Sequence, residues 1–399
     1  MARLGLSDAW ESVWANDIDP DKTRLYEHNF GKGHVDHRDI ALVAQDVKAA
    51  NLPETNSNPV FPLSADMAWA SFPCQDLSLA GRRHGMSGRR SGTYWHFHQI
   101  MAELRLRRCR PPIIAIENVT GLLYGDSFRG LCESLSTLGM RFGALVIDAK
   151  HFVPQSRPRV FVVAIDASID TGKLESPGPT PWHTNALVAA HDRLPPELKD
   201  RWIWWNLPPA SEREVDVSTV FEPSPSDVTY HDQGETKRLL ALMTDVHLAK
   251  VKRAIQARGI HVGFLYKRTR GGIQRAEVRF DGVAGCLRTP KGGSSRQTVI
   301  VVENGRVRSR LLSRNEAARL MGIPLDATGC IRPNVPSFFP EDIGYNVAYR
   351  AMGDGVAVPV VRHLGRHLLT PLAKIARATV VRADSLVIPR TTENPTACV

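Results

Sequence analysis

No stretch of this 399-residue chain approaches the roughly 20 consecutive apolar residues that a membrane-spanning helix needs; the longest apolar runs are short ones such as Val160 to Ile165. The amino terminus, Met1-Ala-Arg-Leu-Gly-Leu-Ser-Asp8, has no apolar signal core, which argues against export. The six cysteines, at 74, 109, 132, 286, 330 and 398, form no Cys-x-x-Cys pair and do not cluster with histidine at zinc-ligand spacing. Neither a disulfide framework nor a metal site is expected, and the setting reads as reducing and cytoplasmic. Most of these cysteines read as small buried apolar side chains. Internal repeats are also absent.

What is present suits a globular protein. Apolar residues make up 43% and charged residues 23%, which excludes disorder as the main state, and the length suits two unequal lobes. A formal net charge of +10 points to a polyanionic partner. The charge is unevenly spread: residues 250–320 carry 17 Lys and Arg against 4 Asp and Glu, an excess larger than that of the whole chain. The remainder is therefore near neutral, and one segment is strongly basic.

Up to about residue 166, short apolar runs alternate with helix-like stretches. Val13-Trp-Ala15, Met67-Ala-Trp-Ala70, Ile113-Ile-Ala-Ile116, Ala144-Leu-Val-Ile147 and Val160-Phe-Val-Val-Ala164 are continuous rather than alternating, the pattern of strands buried on both faces. The expected fold class is α/β, a doubly wound parallel sheet, with a smaller irregular mixed domain inserted after it. From about 167 to 310 the chain is rich in Pro, Gly, Trp and Arg, with short irregular elements. There, Trp202-Ile-Trp204-Trp205 reads as local core. Ser313 with Glu316 three residues on predicts a capped helix start that runs to Met321 and ends at Gly322-Ile-Pro324. The expected divisions are 1–170, 171–309, 310–370 and a C-terminal extension over 371–399, whose last 15 or so residues, polar and with two prolines, form a loose tail.

Functional groups of such sheets gather at the carboxyl ends of strands. Ser71-Phe-Pro73-Cys74-Gln75-Asp-Leu-Ser78 puts a thiol on a strand-to-loop turn, where a basic neighbour can make it a nucleophile; a buried structural thiol is the alternative. Glu117-Asn118-Val119 puts a carboxylate directly at the end of a strand, where a solvated acid or a helix cap is the plain alternative. His151-Phe-Val-Pro-Gln155-Ser-Arg157-Pro-Arg159 sends two arginines into a buried strand, where they need partners, and Glu117 is an available one.

Taken together, Pro-Cys-Gln, Glu-Asn-Val and Gln-x-Arg-x-Arg, in that order and each at a strand end, resemble the cytosine-5-specific DNA methyltransferases. The resemblance extends to Asn16-Asp17-Ile18-Asp19-Pro20 with Tyr26 and Asn29-Phe30, and to Asp39-Ile40. Arg310 to Pro324 and Gly353-Asp-Gly-Val-Ala-Val-Pro359 continue it, so that it covers about 1–166 and 278–370. It implies S-adenosyl-L-methionine as methyl donor, double-stranded DNA as partner, and a doubly wound methyltransferase domain. By the same resemblance Cys74 is the nucleophile that adds to carbon 6 of cytosine. Glu117 is the acid at nitrogen 3, suited to that role if burial raises its pKa, and Arg157 or Arg159 orients it. Pro73, Gln75, Ser78, Asn118 and Gln155 belong to the pocket of a base flipped out of the duplex or to its adjacent backbone. Asp17, Ile18, Asp39, Ile40, Gly355 and Val356 belong to the cofactor site. Gly81-Arg-Arg-His-Gly85 and Gly88-Arg-Arg-Ser-Gly92 form a basic loop suited to closing over the nucleotide. Residues 171–309 correspond to the target-recognition domain, with Lys267 to Arg275 and Thr289 to Gln297 as basic, Gly-rich segments suited to phosphate and groove contact.

The sequence departs from the family pattern twice. No strand with a Phe-x-Gly-x-Gly turn precedes Met1, whose helix aligns with the one that follows that turn; the expectation is a start assigned downstream of the true one, since decay would have eroded the other motifs. In the last motif Asp354 adds a carboxylate near the cofactor's own. The expected protein is a monomeric modification enzyme of a restriction system, with a cognate restriction endonuclease as functional partner, or a solitary or phage-borne equivalent. A truncated, catalytically inactive DNA-binding relative is the alternative, and the tRNA-methylating branch of the fold a minor one.

Overall fold

The computed structural model describes residues 1–49, 61–73, 92–211, 213, 215–289, 296–326, 329–331 and 337–385. Ala15–Asn16 (β1) and Val35–Asp36 (β2) pair in parallel as a small sheet. Met67–Ala70 (β3), Ile113–Val119 (β4), Met140–Asp148 (β5) and Pro158–Asp166 (β6) form a second sheet in the order β3-β4-β6-β5. Among the described residues no strand joins the two sheets, at the position where the resemblance puts a central one.

Both faces of the larger sheet are covered, which is why its strands read as unbroken apolar runs. Ile114, Ile116, Phe142, Ala144, Val160 and Val162 pack under the helices Thr93–Leu106 and Ser127–Thr137. On the other face, Ile113, Ala115, Leu145, Ile147, Phe161 and Val163 lie against the helices Val358–Leu364 and Thr370–Ser385 and against Leu6. The doubly wound α/β expectation holds.

The strand directions need a correction. In the larger sheet β3, β4 and β5 run in one direction and β6 is reversed, pairing antiparallel with both β4 and β5. The reason is chain length: residues 149–157 connect β5 to β6, and a parallel pair needs a crossover of about a dozen residues or more, usually a helix. The short connection forces the chain to return beside itself.

The middle of the chain is also more regular than its composition implied. Ile260–Arg270 (β7), Ile273–Arg279 (β8), Thr298–Glu303 (β9) and Arg306–Leu311 (β10) make an antiparallel sheet ordered β10-β9-β7-β8, backed by the helix Asp245–Gln256. Gly271 and Gly272, both at positive φ, supply the two-residue turn between β7 and β8, the conformation that a tight hairpin demands. Earlier in this region the chain packs on the larger sheet instead. Trp182, Ile203, Trp205 and Leu207 enter its core, Ile203 N donates to Phe142 O at 2.8 Å, and Trp205 Nε1 donates to Val163 O at 3.2 Å. The expectation that Trp202–Trp205 forms core is met, with Trp202 and Trp205 buried.

That packing fixes Gly143 on β5. A Cβ there would lie 1.9 Å from Ile203 O, a backbone atom that cannot swing aside. Gly143→Ala is expected to lower the free energy of unfolding by about 1–3 kcal/mol, measured as a fall in urea midpoint at unchanged slope.

The capped helix is observed as Arg314–Leu320: Ser313 N donates to Glu316 Oε2 and Glu316 N donates to Ser313 Oγ. Glu316 also forms a fully buried ion pair with Arg310, which removes one cation of the basic segment from the surface. Within the extension after 370, Leu372, Ala373 and Ala376 of the helix Thr370–Ser385 are buried against the sheet. Residues 386–399 lie outside the described residues. Among the described residues no helix is long and apolar enough to cross a membrane.

Candidate active site

The direction of β6 creates the site. Because β6 runs antiparallel to β4, its first residues lie at the last residues of β4: Arg159 is opposite Val119, and Phe161 is opposite Glu117. Glu117 and Arg159 are therefore diagonal neighbours on one face of the sheet, within reach of long side chains. Arg159 Nε lies 3.1 Å from Glu117 Oε1. The carboxylate is only 7% exposed, so this partner offsets much of the cost of burying its charge.

Next to Glu117, Asn118 Nδ2 donates to Phe72 O at 3.3 Å, and Asn118 Oδ1 accepts from Val119 N at 2.9 Å. Asn118 thus ties the turn that follows β3 to the end of β4. Pro73 is exposed on that turn. Cys74, Gln75, Ser78 and the basic loop through Ser91 lie outside the described residues.

Gln155 and Arg157 take up different work from their neighbours. Gln155 is wholly buried; its Nε2 donates to Leu320 O at 2.8 Å, and its Oε1 accepts from Leu287 N at 3.1 Å. Arg157, 1% exposed, donates to Leu287 O at 2.9 Å, to Gly353 O at 2.8 Å and to Gly355 O at 2.6 Å. Gln155 and Arg157 therefore clamp the 286–287 segment and the end of the helix Tyr345–Asp354 to the larger sheet. Of the two arginines expected to orient Glu117, Arg159 forms an ion pair with it.

The cofactor candidates fall in two groups. At the end of β1, Asp17 Oδ1 accepts from Asp19 N at 2.9 Å, and burial raises the Asp17 carboxyl above its ordinary range despite that bond. Ile18 is 62% exposed, an open apolar surface of the kind an adenine ring covers. Asp39 is engaged locally, accepting from Ala41 N at 2.9 Å at the start of the helix Ile40–Ala49, and Ile40 packs on the core. Gly355 and Val356 belong to the other group. Val356 is buried, and with Arg157 and Arg159 it lines a small cavity; the side chain of Met1 fills the space that a Cβ on Gly355 would take.

Asp354 is less disruptive than its charge implied. It is paired with Lys22 Nζ at 3.0 Å and accepts from Thr289 Oγ1. Burial lowers the Lys22 pKa, but Asp354 and Asp17 outweigh it and leave the ammonium above its usual value. Sequence reading missed Lys22 and also Arg350, which bridges Asp19 and Asp21 at the start of the same helix, Pro20–Phe30. The only available signal was the Asp19-Pro20 helix start, where Asp19 accepts from Asp21 N and Lys22 N.

The model of the C-5 cytosine-specific DNA methylases matches residues 2–370, which takes in every strand and both arms of the site. The chain belongs to this family. Membership carries the family's enzyme class, S-adenosylmethionine-dependent DNA methyltransferase. The methylase is 26% identical over 367 residues to the type II methyltransferase M.MspI of a Moraxella species, covering 91% of this chain and 66% of that protein. It is 24% identical over 396 residues to M.HpaII of Haemophilus parainfluenzae, covering 94% and 86%. The chain thus spans about two thirds of the length of the first of these relatives. In fold it is similar to the Dnmt2 methyltransferase of S. pombe, with a TM-score of 0.53 at 15% identity over 93% of this chain and 95% of that one. The Entamoeba histolytica methyltransferase EhMeth is comparable, with a TM-score of 0.54 at 13% identity over 93% and 95%.

Proposed function

We propose that this methylase transfers a methyl group to carbon 5 of a cytosine flipped out of a specific duplex DNA sequence, through a covalent adduct with Cys74, as the modification enzyme of a restriction system or a phage-borne equivalent. The observation that carries this reading is the buried Glu117 carboxylate, held by Arg159 at 3.1 Å beside the turn that leads to Cys74.

Carbon 5 of cytosine is too weak a nucleophile to take a methyl group unaided. The Cys74 thiolate adds to carbon 6, and the electron pair displaced from the 5,6 double bond makes carbon 5 an enamine-type nucleophile. Glu117, in its carboxylic acid form, supplies a proton at nitrogen 3 and so prevents charge from building up on the ring, becoming the carboxylate that Arg159 holds in orientation. S-adenosylmethionine, when bound, supplies the electrophilic methyl on its sulfonium. Removal of the proton from carbon 5 then lets the carbon–sulfur bond break, which restores the aromatic ring and frees Cys74. Asp17 and Asp39 are assigned to the ribose hydroxyls and the adenine amino group, Ile18 and Ile40 to the adenine faces, and Gly355 and Val356 to the remaining wall. The open Ile18 surface and the Asp17 carboxylate at the end of β1 fit an adenosyl group.

The β7–β8 hairpin is the proposed DNA contact of the recognition region. Arg268 and Arg275 are exposed near its tip. Replacing both with alanine is expected to weaken duplex binding at low salt and to reduce the slope of log affinity against log salt by about 1 per lost phosphate contact. An unchanged slope would remove the hairpin from the interface.

The function itself is tested by incubating the chain with duplex DNA and labelled S-adenosylmethionine, then mapping the product by bisulfite sequencing. The reading requires 5-methylcytosine at one recurring sequence. Methyl incorporation into tRNA but not duplex DNA, or into neither, would overturn it.

A further inference from the structure

The two groups of cofactor candidates come from opposite ends of the chain: Asp17 and Ile18 follow β1, and Gly355 and Val356 follow the helix Tyr345–Asp354. The segments that carry them are joined by ion pairs. Arg350 Nη2 lies 3.2 Å from Asp19 Oδ2 and 2.9 Å from Asp21 Oδ2, and Lys22 Nζ lies 3.0 Å from Asp354 Oδ2. On the first segment, Asp17 Oδ1 accepts from Asp19 N, while Asp19 Oδ1 accepts from Asp21 N and Lys22 N. Residues 17–22 are thus one internally bonded turn, and a displacement of Lys22 is passed on to Asp17. On the second segment, Arg157 donates to Gly353 O and Gly355 O. The backbone at Arg288 and Thr289 lies so close to Gly353 that a Cβ there would be 3.1 Å from Arg288 C and Thr289 N. Asp354 Oδ1 accepts from Thr289 Oγ1, which leaves Oδ2 directed at Lys22. The end of this helix is therefore fixed from behind, and its carboxylate is oriented before Lys22 reaches it.

We propose that the Lys22–Asp354 pair is a latch that positions the two halves of the S-adenosylmethionine site against each other. This rests on the reading of Asp17, Ile18, Gly355 and Val356 as that site. A ligand held by two separate segments must meet the cost of ordering them unless the protein has already joined them. Lys22 and Asp354 make that join before any ligand arrives. Their side chains are 29% and 32% exposed, so the pair is partly shielded from water and holds better than one on the open surface. Arg350, at the other end of the same contact, restrains the helix Pro20–Phe30 through Asp19 and Asp21, so the latch closes onto a segment already held in place. Neither Lys22 nor Asp354 needs to touch the cofactor for this role.

Binding of S-adenosylhomocysteine to the full chain, followed by isothermal titration calorimetry without DNA, tests the latch independently of methyl transfer. Kd is expected to rise about tenfold in Lys22→Met, in Asp354→Ala and in the double variant alike, because the first change opens the latch and leaves the second nothing to break. Lys22→Arg keeps the cation and is expected to bind within about threefold of wild type. The urea midpoint is expected to change little in all four variants, since a partly exposed pair contributes little to folding; a merely structural pair would move the midpoint and leave Kd alone. Three results overturn the proposal: an unchanged Kd in Lys22→Met, losses that multiply to about a hundredfold in the double variant, or near wild-type binding by the double variant, which would show that Lys22 only neutralises Asp354. Asp17→Ala separates the latch from the reading beneath it. Wild-type binding in Asp17→Ala, or no binding by the unaltered chain, overturns the cofactor-site reading and the latch with it. Lost binding in Asp17→Ala together with full binding in Lys22→Met overturns the latch alone.

Discussion

Cys74→Ser is expected to abolish the covalent complex with a duplex carrying 5-fluorocytosine at the target position, and to lower kcat by on the order of 10^4 or more. Fluorine at carbon 5 cannot leave as the proton does, so an adduct formed through carbon 6 has no route to elimination after methyl transfer and persists through denaturation. A hydroxyl is far less ionised than a thiol near neutral pH and cannot add to the ring at a useful rate. Duplex affinity is expected to change little, because binding rests chiefly on phosphate contacts made elsewhere. The measurement is a denaturing gel of protein with fluorinated duplex, followed by mapping of the cross-linked peptide. A stable adduct in Cys74→Ser, or a wild-type adduct on another residue, would sink the assignment of the nucleophile.

The second large effect is expected at Glu117. Glu117→Gln keeps the shape and a hydrogen-bond acceptor for Arg159, but it has no carboxyl proton to place at nitrogen 3. Loss of a positioned acid usually costs about 10^2–10^4 in rate, and the loss is expected in kcat rather than KM. Adduct formation on fluorinated duplex should slow in proportion, since the proton is needed as the thiolate adds. Arg159→Gln is expected to fall in the same direction and less far, because it leaves the acid in place and removes only its orientation and countercharge. Single-turnover rates at saturating DNA make the comparison. Methyl transfer by Glu117→Gln within about threefold of wild type would show that the proton at nitrogen 3 comes from another group.

Much of the architecture was legible in the sequence because both faces of the sheet are buried. Unbroken apolar runs at 113–116, 144–147 and 160–164 can hardly be anything but interior strands, and they fall within β4, β5 and β6. Ser313 and Glu316 announced a helix start because a reciprocal cap is a local device, satisfied within four residues. The regular structure of residues 260–311 was not legible in the sequence because this sheet is antiparallel and half-exposed, so its strands mix Arg, Thr and Glu with Val and Ile. Its Gly271-Gly272 turn was the clearest available sign of a hairpin and was read instead as part of a basic, Gly-rich segment.

The amino-acid sequence by itself determined which chemical groups the protein has and where along the chain they stand. A carboxylate ends one buried strand, arginines open another, and an acid follows the first short strand. It also determined the family, since those groups recur in a fixed order. Only the tertiary structure decided their partners. Whether Arg159 meets Glu117 depends on the direction of β6: in an all-parallel sheet the start of β6 would lie at the far end from the last residues of β4, and the pair could not form. Whether Asp354 is a liability depends on Lys22, more than three hundred residues away in the chain. Leu287 is the sharpest case, a residue with no local signature whose backbone is bound to the catalytic sheet by Gln155 and Arg157. Charge and hydrogen bonding act over a few ångströms of space, and chain position limits that distance only between near neighbours in sequence.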